Sequence, residues 1–350
     1  MMIQYLLDGR YTHMRLFHVR MAFSADMDSV GRFAFRKLWV LLTTILAVWW
    51  ARLRHRPQVL YYPPAGPDMV PVLRDIVLLC ATRWAFRRTV FHFHASGVST
   101  LEPSLNPVLR TLFRCAYRRP DLCIRTAPQN PDDGAALGAR RSVVVPNGIP
   151  DMRGTVPERT AGPDEPLVIL FTGVLIPSKG VRVLLEAFAT LVSTGVNARL
   201  QLMGRWGDAA FEQECTEFIA RSGLAGRVEM LGVLRDAAKF RAFAGCDIFC
   251  FPSFFEAESF GLVVAEAMMF AKPVVSTWWR GIPSVVSDGR SGSLVPVRDP
   301  ASLAEKLGEL ARDPELRRTM GAEGRRIFER SFTLEAFQRA MEREISEQAP

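Results

Sequence analysis

Short apolar runs alternate along most of the chain with longer segments whose apolar residues recur every three or four positions. The first pattern suits a strand buried on both faces and the second an amphipathic helix, so their alternation predicts parallel sheets with crossover helices. In the first half the runs predict strands at 58–62, 89–94, 122–126 and 142–145, with helices around 36–53, 69–85 and 106–118. Pro146, Asn147 and Gly148 close the last of these strands. The stretch 151–166 is rich in Pro, Gly and charge, lacks apolar periodicity, and reads as a linker. The alternation then restarts, with strands at 167–171, 199–203, 228–231, 247–251 and 273–276. Helices fall at 180–191, 209–221, 236–244 and 261–270, and fill most of 300–346. The expected fold class is α/β, with two Rossmann-like doubly wound domains, 1–150 and 167–330, facing a central cleft. A C-terminal helix within 331–350 is expected to pack back toward the first domain. Ligands of open α/β sheets bind at the carboxyl ends of the strands.

Composition narrows the function classes. A chain of 350 residues with 49% hydrophobic and 23% charged residues is neither disordered nor fibrous. The longest uncharged apolar run is 38–51, between Lys37 and Arg52. It is shorter than the ~20 residues of a spanning helix, so a buried or half-buried helix is expected, with a membrane-surface helix as the other reading. The first 30 residues hold no continuous apolar segment, so no secretory leader is expected. Six cysteines without a CxxC pair suit reduced thiols in the cytoplasm better than disulfides or zinc. Residues 1–160 carry 22 Lys and Arg against 11 Asp and Glu, whereas 161–350 carry 22 against 25. The basic half is expected to face something anionic; on charge alone this is nucleic acid, a membrane surface or a phosphorylated acceptor. With 39 Arg and only 5 Lys, part of this excess is compositional bias. Nucleic acid is not an expected partner, since no helix–turn–helix or aromatic-interleaved basic stripe is visible.

Candidate chemistry concentrates in 252–273, PSFFEAESFGLVVAEAMMFAKP. A strand ends at Phe251, a loop carries Glu256 and Glu258, and a helix opens near Gly261. The backbone N–H groups of Phe260, Gly261 and Leu262, at the positive end of that helix, form an anion site suited to a diphosphate. Gly261 permits close approach of a ligand. Glu266, eight residues after Glu258, sits in an apolar run where a carboxylate needs a partner.

This segment resembles the carboxylate–seven–carboxylate signature of the retaining glycosyltransferases of family four, which have the GT-B fold. Phe171-Thr172-Gly173 through Ser178-Lys179-Gly180 and then Leu184 to Phe188 resemble the opening of the family's donor domain. Leu231-Gly232-Val233 resembles its base-binding turn, and 273–289 the strands and turns that follow. The resemblance implies that Glu258 holds hydroxyls of the transferred hexose and Glu266 the ribose. The segment Ser259, Phe260, Gly261, Leu262 would bind the diphosphate, with Gly173 at the strand end. Lys179 would stabilise the leaving diphosphate in place of a metal. Gly232 and Val233 would read the base. His94, in Phe91-His92-Phe93-His94-Ala95-Ser96-Gly97, resembles the family's active-site histidine, with Ser96 and Gly97 lining the same cleft. Arg205 and Trp206 would flank the nucleotide.

Two features depart from the family pattern. Val174 follows Gly173 where the family places an arginine nearby, so one phosphate contact is expected either to be missing or to come from elsewhere, Arg205 or Arg280. The family's first strand and Gly-rich loop are not visible, which implies an incomplete N-terminal domain. The implied function is retaining, metal-independent hexosyl transfer, without a cofactor, from a nucleotide diphosphate sugar to a glycan or lipid-linked acceptor. Cell-surface polysaccharide synthesis is the expected setting. The alternative is a non-catalytic donor-binding or scaffold subunit; a nucleotide-sugar 2-epimerase is a further enzymatic one. The chain is expected in the cytoplasm, peripheral on the membrane. The run 38–51 and the arginines of 74–119, Arg83, Arg87 and Arg88 among them, are the expected membrane contacts.

Overall fold

The computed structural model describes residues 2–21, 35–95, 97–157, 159, 162 and 165–348. The chain divides into two compact units, Met1–Pro146 with Phe337–Pro350 and Asn147–Ala336.

The first unit runs α1 (Met2–Leu7), α2 (Phe35–His55), β1 (Val59–Tyr62), α3 (Met69–Thr82), β2 (Arg88–Phe93), α4 (Pro107–Tyr117), β3 (Leu122–Arg125), α5 (Asp133–Ala136) and β4 (Arg141–Val144). Its four strands are parallel in the order β1-β2-β3-β4. β2 and β3 are central and nearly fully buried, which is why they read as unbroken apolar runs. Phe91, Phe93, Phe113, Tyr117, Ile76 and Leu79 form the core beside them. α4 begins where Asn106 accepts from the Leu109 N–H at 2.9 Å and Pro107 takes the first helical position.

Asp75 organises this core. Its side chain is wholly buried, yet it accepts from the Tyr62 hydroxyl at 2.7 Å, the Ala65 N–H at 2.8 Å, the Tyr117 hydroxyl at 3.2 Å and the Arg74 guanidinium at 2.6 Å. Burial first, and then the charge of Asp75, hold both phenols well above their usual range, so they stay protonated donors.

One expectation is met in its half-buried form here, and one changes. α2 is buried on one side only: Leu41, Thr44 and Ala51 face inward, while Leu38, Trp39, Leu42, Leu46, Trp50 and Leu53 are 48–72% exposed. The arginines of 74–119 are largely committed inside the unit. Arg83 donates to the Thr89 hydroxyl and the Ala116 carbonyl, Arg88 pairs with Asp121, Arg110 binds three carbonyls, and Arg114 pairs with Glu102. Arg83 and Arg88 are therefore structural. Arg87 is exposed.

The second unit runs β5 (Leu167–Thr172), α6 (Val181–Ser193), β6 (Ala198–Met203), α7 (Ala209–Arg221), β7 (Val228–Gly232), α8 (Asp236–Gly245), β8 (Ile248–Phe251), α9 (Leu262–Met269), β9 (Val274–Thr277), β10 (Gly292–Val295), α10 (Pro300–Arg312), α11 (Pro314–Ser331) and α12 (Leu334–Ser346), the last continuing into the first unit from Phe337. Six parallel strands follow the order β10-β9-β8-β5-β6-β7. β10 was not foreseen: Gly-Ser-Leu-Val is short and half polar. Gly292 is required there, because a Cβ would lie 2.2 Å from the Val274 carbonyl oxygen of the neighbouring strand.

Asp75→Leu should destabilise the first unit by about 3 kcal/mol or more, because it strands two phenols and an amide in a dry core. Urea denaturation followed by tryptophan fluorescence reads this directly. An unchanged midpoint would show that the carboxylate does not organise the core.

Candidate functional site

β5 enters the second sheet in its middle. The chain adds β6 and β7 on one side, then returns to add β8, β9 and β10 on the other. The chain leaves β5 and β8 toward strands on opposite sides of the pair, so the carboxyl ends of these neighbouring strands mark a topological switch point. Three glycines cluster at the adjoining strand ends. The Gly173 N–H donates to the Met203 carbonyl at 3.0 Å and the Gly204 N–H to the Gly232 carbonyl at 2.8 Å. A Cβ on Gly204 would lie 1.8 Å from the Gly173 oxygen, so backbone alone fills this edge. Val233 is 56% exposed beyond Gly232, and Arg205 is exposed beyond Gly204. Trp206 packs edge-on against Phe211 with ring centroids 5.9 Å apart, which gives it a structural partner within the unit.

The β5 loop is clamped to the β8 loop. Pro177–Lys179 forms one 3-10 turn, and Gly180, at φ 76°, opens α6. A Cβ there would lie 2.1 Å from the Pro252 carbonyl oxygen. The Phe254 N–H also donates to the Ser178 carbonyl at 2.8 Å. This approach brings Lys179 Nζ to 2.6 Å from Glu258 Oε2, both side chains being at least 85% buried. The ammonium also lies 4.5 Å from the ring centre of Phe255 and 5.3 Å from that of Phe251. Glu258 accepts in addition from the Gly261 N–H at 3.1 Å and the Ser253 hydroxyl at 3.4 Å. The Gly261 amide, expected to be open to a ligand, is thus already taken by Glu258.

α9 starts at Gly261, whose φ of 74° favours glycine. Phe260 buries its ring edge-on against Phe332, leaving only its backbone for a ligand. Ser259 and Leu262 are half-buried on either side of this turn. Glu266 lies one turn further and is 7% exposed. Its Oε1 accepts from Lys239 Nζ at 2.5 Å, while Oε2 is buried with no partner among the described residues. Burial raises this carboxyl above its usual range, and the Lys239 ammonium pulls the other way. An unmet buried carboxylate oxygen is a costly exception that a hydroxyl-bearing ligand would satisfy.

Lys239 was not singled out in the sequence. Its signal was present: Glu266 needed a cation, and only five lysines exist in the chain. Arg280 gains weight over Arg205. It follows β9 at φ 47°, its Nε is buried without a partner among the described residues, and Ile282 beside it would stand 3.7 Å from a Cβ on Gly261.

The histidines belong to the first unit. His94 directly follows β2, and its ring centre is 4.1 Å from that of His92. His92 Nδ1 and the Tyr61 hydroxyl hydrogen-bond at 2.7 Å, and neither histidine's Nε2 has a partner among the described residues. Burial pushes His94 down to about 4 and His92 well below its usual value, so both are neutral at pH 7. Asp133 fixes the following loop by accepting from the Gly97 N–H at 2.7 Å and the Ser99 N–H at 2.8 Å. Ser96 lies outside the described residues. Among the described residues no group of three or more His, Cys, Asp or Glu is placed to hold a metal ion.

Known proteins share this architecture. The chain is 32% identical over 212 residues to the phosphatidyl-myo-inositol mannosyltransferase of Mycobacterium leprae, which covers 59% of this chain and 54% of that one. It is 33% identical over 178 residues to the D-inositol 3-phosphate glycosyltransferase of Streptomyces scabiei, covering 49% and 40%. The chain spans about half the length of the curated relatives it matches. Among solved structures, Anabaena HepE in complex with UDP superposes with a TM-score of 0.68 at 21% identity, covering 88% of this chain and 82% of that one. Sucrose-phosphate synthase from Thermosynechococcus elongatus superposes with a TM-score of 0.67 at 21% identity, covering 94% and 82%. The fold is accordingly GT-B, with two parallel α/β units. The sequence signature of the glycosyl transferases group 1 matches residues 153–327, half of the chain, and with the motifs above it makes this protein a member of that family.

Proposed function

We propose that the protein is a retaining hexosyltransferase that moves a sugar from a nucleotide diphosphate donor to a glycan or lipid-linked acceptor in cell-surface polysaccharide synthesis. It would act at the cytoplasmic face of a membrane. The observation that carries this reading is Glu266: a buried carboxylate with one unmet oxygen, one turn into the helix whose start abuts the Lys179–Glu258 pair. Glu266 would accept the two ribose hydroxyls. The turn from Ser259 to Leu262 would approach the diphosphate with its backbone amides other than that of Gly261, and Arg280 would stand in for the arginine that Val174 replaces. Support for the donor comes from HepE, which is described in complex with UDP and with UDP-glucose, and for the acceptor class from the inositol-lipid and inositol-phosphate relatives.

During transfer, the bond between the sugar's anomeric carbon and the β-phosphate oxygen breaks. The acceptor oxygen bonds to that carbon, and its proton passes to the departing phosphate. Charge then accumulates on the diphosphate. Lys179 would meet it, exchanging Glu258 for phosphate oxygen and freeing the Glu258 carboxylate for hexose hydroxyls; its ion pair with Glu258 supports this. A largely buried ammonium acts at low dielectric, where it is worth more than in water. The reading assigns the countercharge to Lys179 and includes no metal. Neutral His94 would donate or accept at a sugar hydroxyl.

Titration calorimetry with UDP, GDP and ADP tests the donor site. One nucleotide should bind the wild type, and Glu266→Gln should weaken it about tenfold or more, equivalent to ~1.4 kcal/mol. A folded wild type that binds none would move the non-catalytic scaffold reading ahead. Lys179→Met should reduce release of nucleoside diphosphate from the donor by about a hundredfold or more, with a smaller change in KM. Wild-type release should persist in EDTA; its abolition would refute the assignment of the countercharge to Lys179.

Glu266 also sets a pH dependence. Its carboxyl binds protons more tightly folded than unfolded, so its contribution to stability falls as pH rises from the unfolded value of 4.5 through the raised folded value. The stability of the wild type relative to Glu266→Gln should decline over that window and level off above it. A flat difference in denaturation experiments across pH 4 to 8 would contradict the burial argument.

A further inference from the structure

We infer that the outward face of α2 docks on an anionic lipid bilayer, lying in its surface rather than crossing it. On most surface helices the apolar residues turn inward. Here Leu38, Trp39, Leu42, Leu46, Trp50 and Leu53 recur at three- and four-residue spacing on the solvent side. Thr44, meanwhile, is buried and satisfies its hydroxyl on the Val40 carbonyl at 2.7 Å. Trp84, 71% exposed, widens the face, because its ring stands 4.9 Å from that of Trp49. Single exposed apolar residues are ordinary, but a continuous stripe of this size marks an interaction surface.

Charge and residue type select the occupant. From 29 to 67 the sequence holds six Lys and Arg and no Asp or Glu. Arg54, on the helix beside Trp50, Arg56 just after it, and Arg87 near Trp84 are exposed, and no carboxylate among the described residues pairs with them. An apolar stripe with Trp on its margin and unpaired guanidiniums beside it matches the interfacial zone of an anionic membrane, where indole rings sit at headgroup depth. Among the described residues no helix is long and apolar enough to cross a membrane, so the helix lies on the surface.

The inference deepens the membrane-facing part of the proposed function and rests on it for biological sense, but it is tested separately from donor chemistry. The full chain is sedimented with phosphatidylcholine vesicles, with and without about one-third phosphatidylglycerol. The wild type should bind the anionic vesicles preferentially, with a blue shift of tryptophan fluorescence. Leu46→Glu/Trp50→Glu should lose about tenfold or more of that binding, and Arg54→Gln/Arg87→Gln should lose a similar share together with the preference for anionic lipid. Both variants should keep the wild-type circular dichroism and nucleotide affinity. No binding by the wild type, or equal binding by the Leu46/Trp50 variant, overturns the inference. So does a wild-type dimer that the variant dissolves without any vesicle binding, which would make a second copy the occupant. A chain that binds vesicles through α2 but no nucleotide would leave this inference standing and remove the transfer reading.

Discussion

The second unit depends on one constraint: its first strand, β5, must be covered on both edges by strands that arrive later. Because β8 returns beside β5, two loops from distant parts of the sequence are pressed together, and Gly180 is the residue that allows it. The ion pair between Lys179 and Glu258 forms at that joint, with its ammonium set over two aromatic rings. Breaking either partner alone would leave a largely buried charge without compensation. A diphosphate arriving at the joint would replace one anion by another around the same ammonium.

The same logic of paired buried charge recurs one turn away. Glu266 is held on one oxygen by Lys239 and left open on the other. A fully satisfied carboxylate there would be a structural element, and a fully unsatisfied one would take up a proton. In the proposed reading, half-satisfaction would keep an acceptor in place for a ligand at the expense of local stability. The first unit shows the contrasting case. Asp75 is equally buried but fully engaged by two phenols, an amide and a guanidinium, and it serves only the core.

Much of this was legible in the sequence because parallel sheets write themselves as apolar runs at regular spacing. The helices and strands of the second unit fall within one or two residues of their expected positions, from β5 to β9. The segment proposed as the donor site was singled out in the sequence because Glu258 and Glu266 stand out against Phe, Val and Ala. What escaped has physical reasons. β10 is held by its neighbour's backbone rather than by its own side chains, so Gly-Ser-Leu-Val carried no strand signal. Lys239 pairs with Glu266 only through tertiary packing of α8 on α9. The arginines of 74–119 looked like an external patch, but Arg83 and Arg88 spend their donors on carbonyls, a hydroxyl and a carboxylate within the fold. An arginine count carries no information about which guanidiniums are already bound.

The account stands or falls on where a nucleoside diphosphate sits. A crystal structure of the full chain with whichever of UDP, GDP or ADP binds in solution is the most direct measurement. The account predicts phosphate oxygens within hydrogen-bond distance of Lys179 Nζ, the Lys179–Glu258 contact opened, and ribose hydroxyls on Glu266 Oε2. A nucleotide bound elsewhere, with the Lys179–Glu258 pair intact and Glu266 Oε2 still unmet, would contradict it.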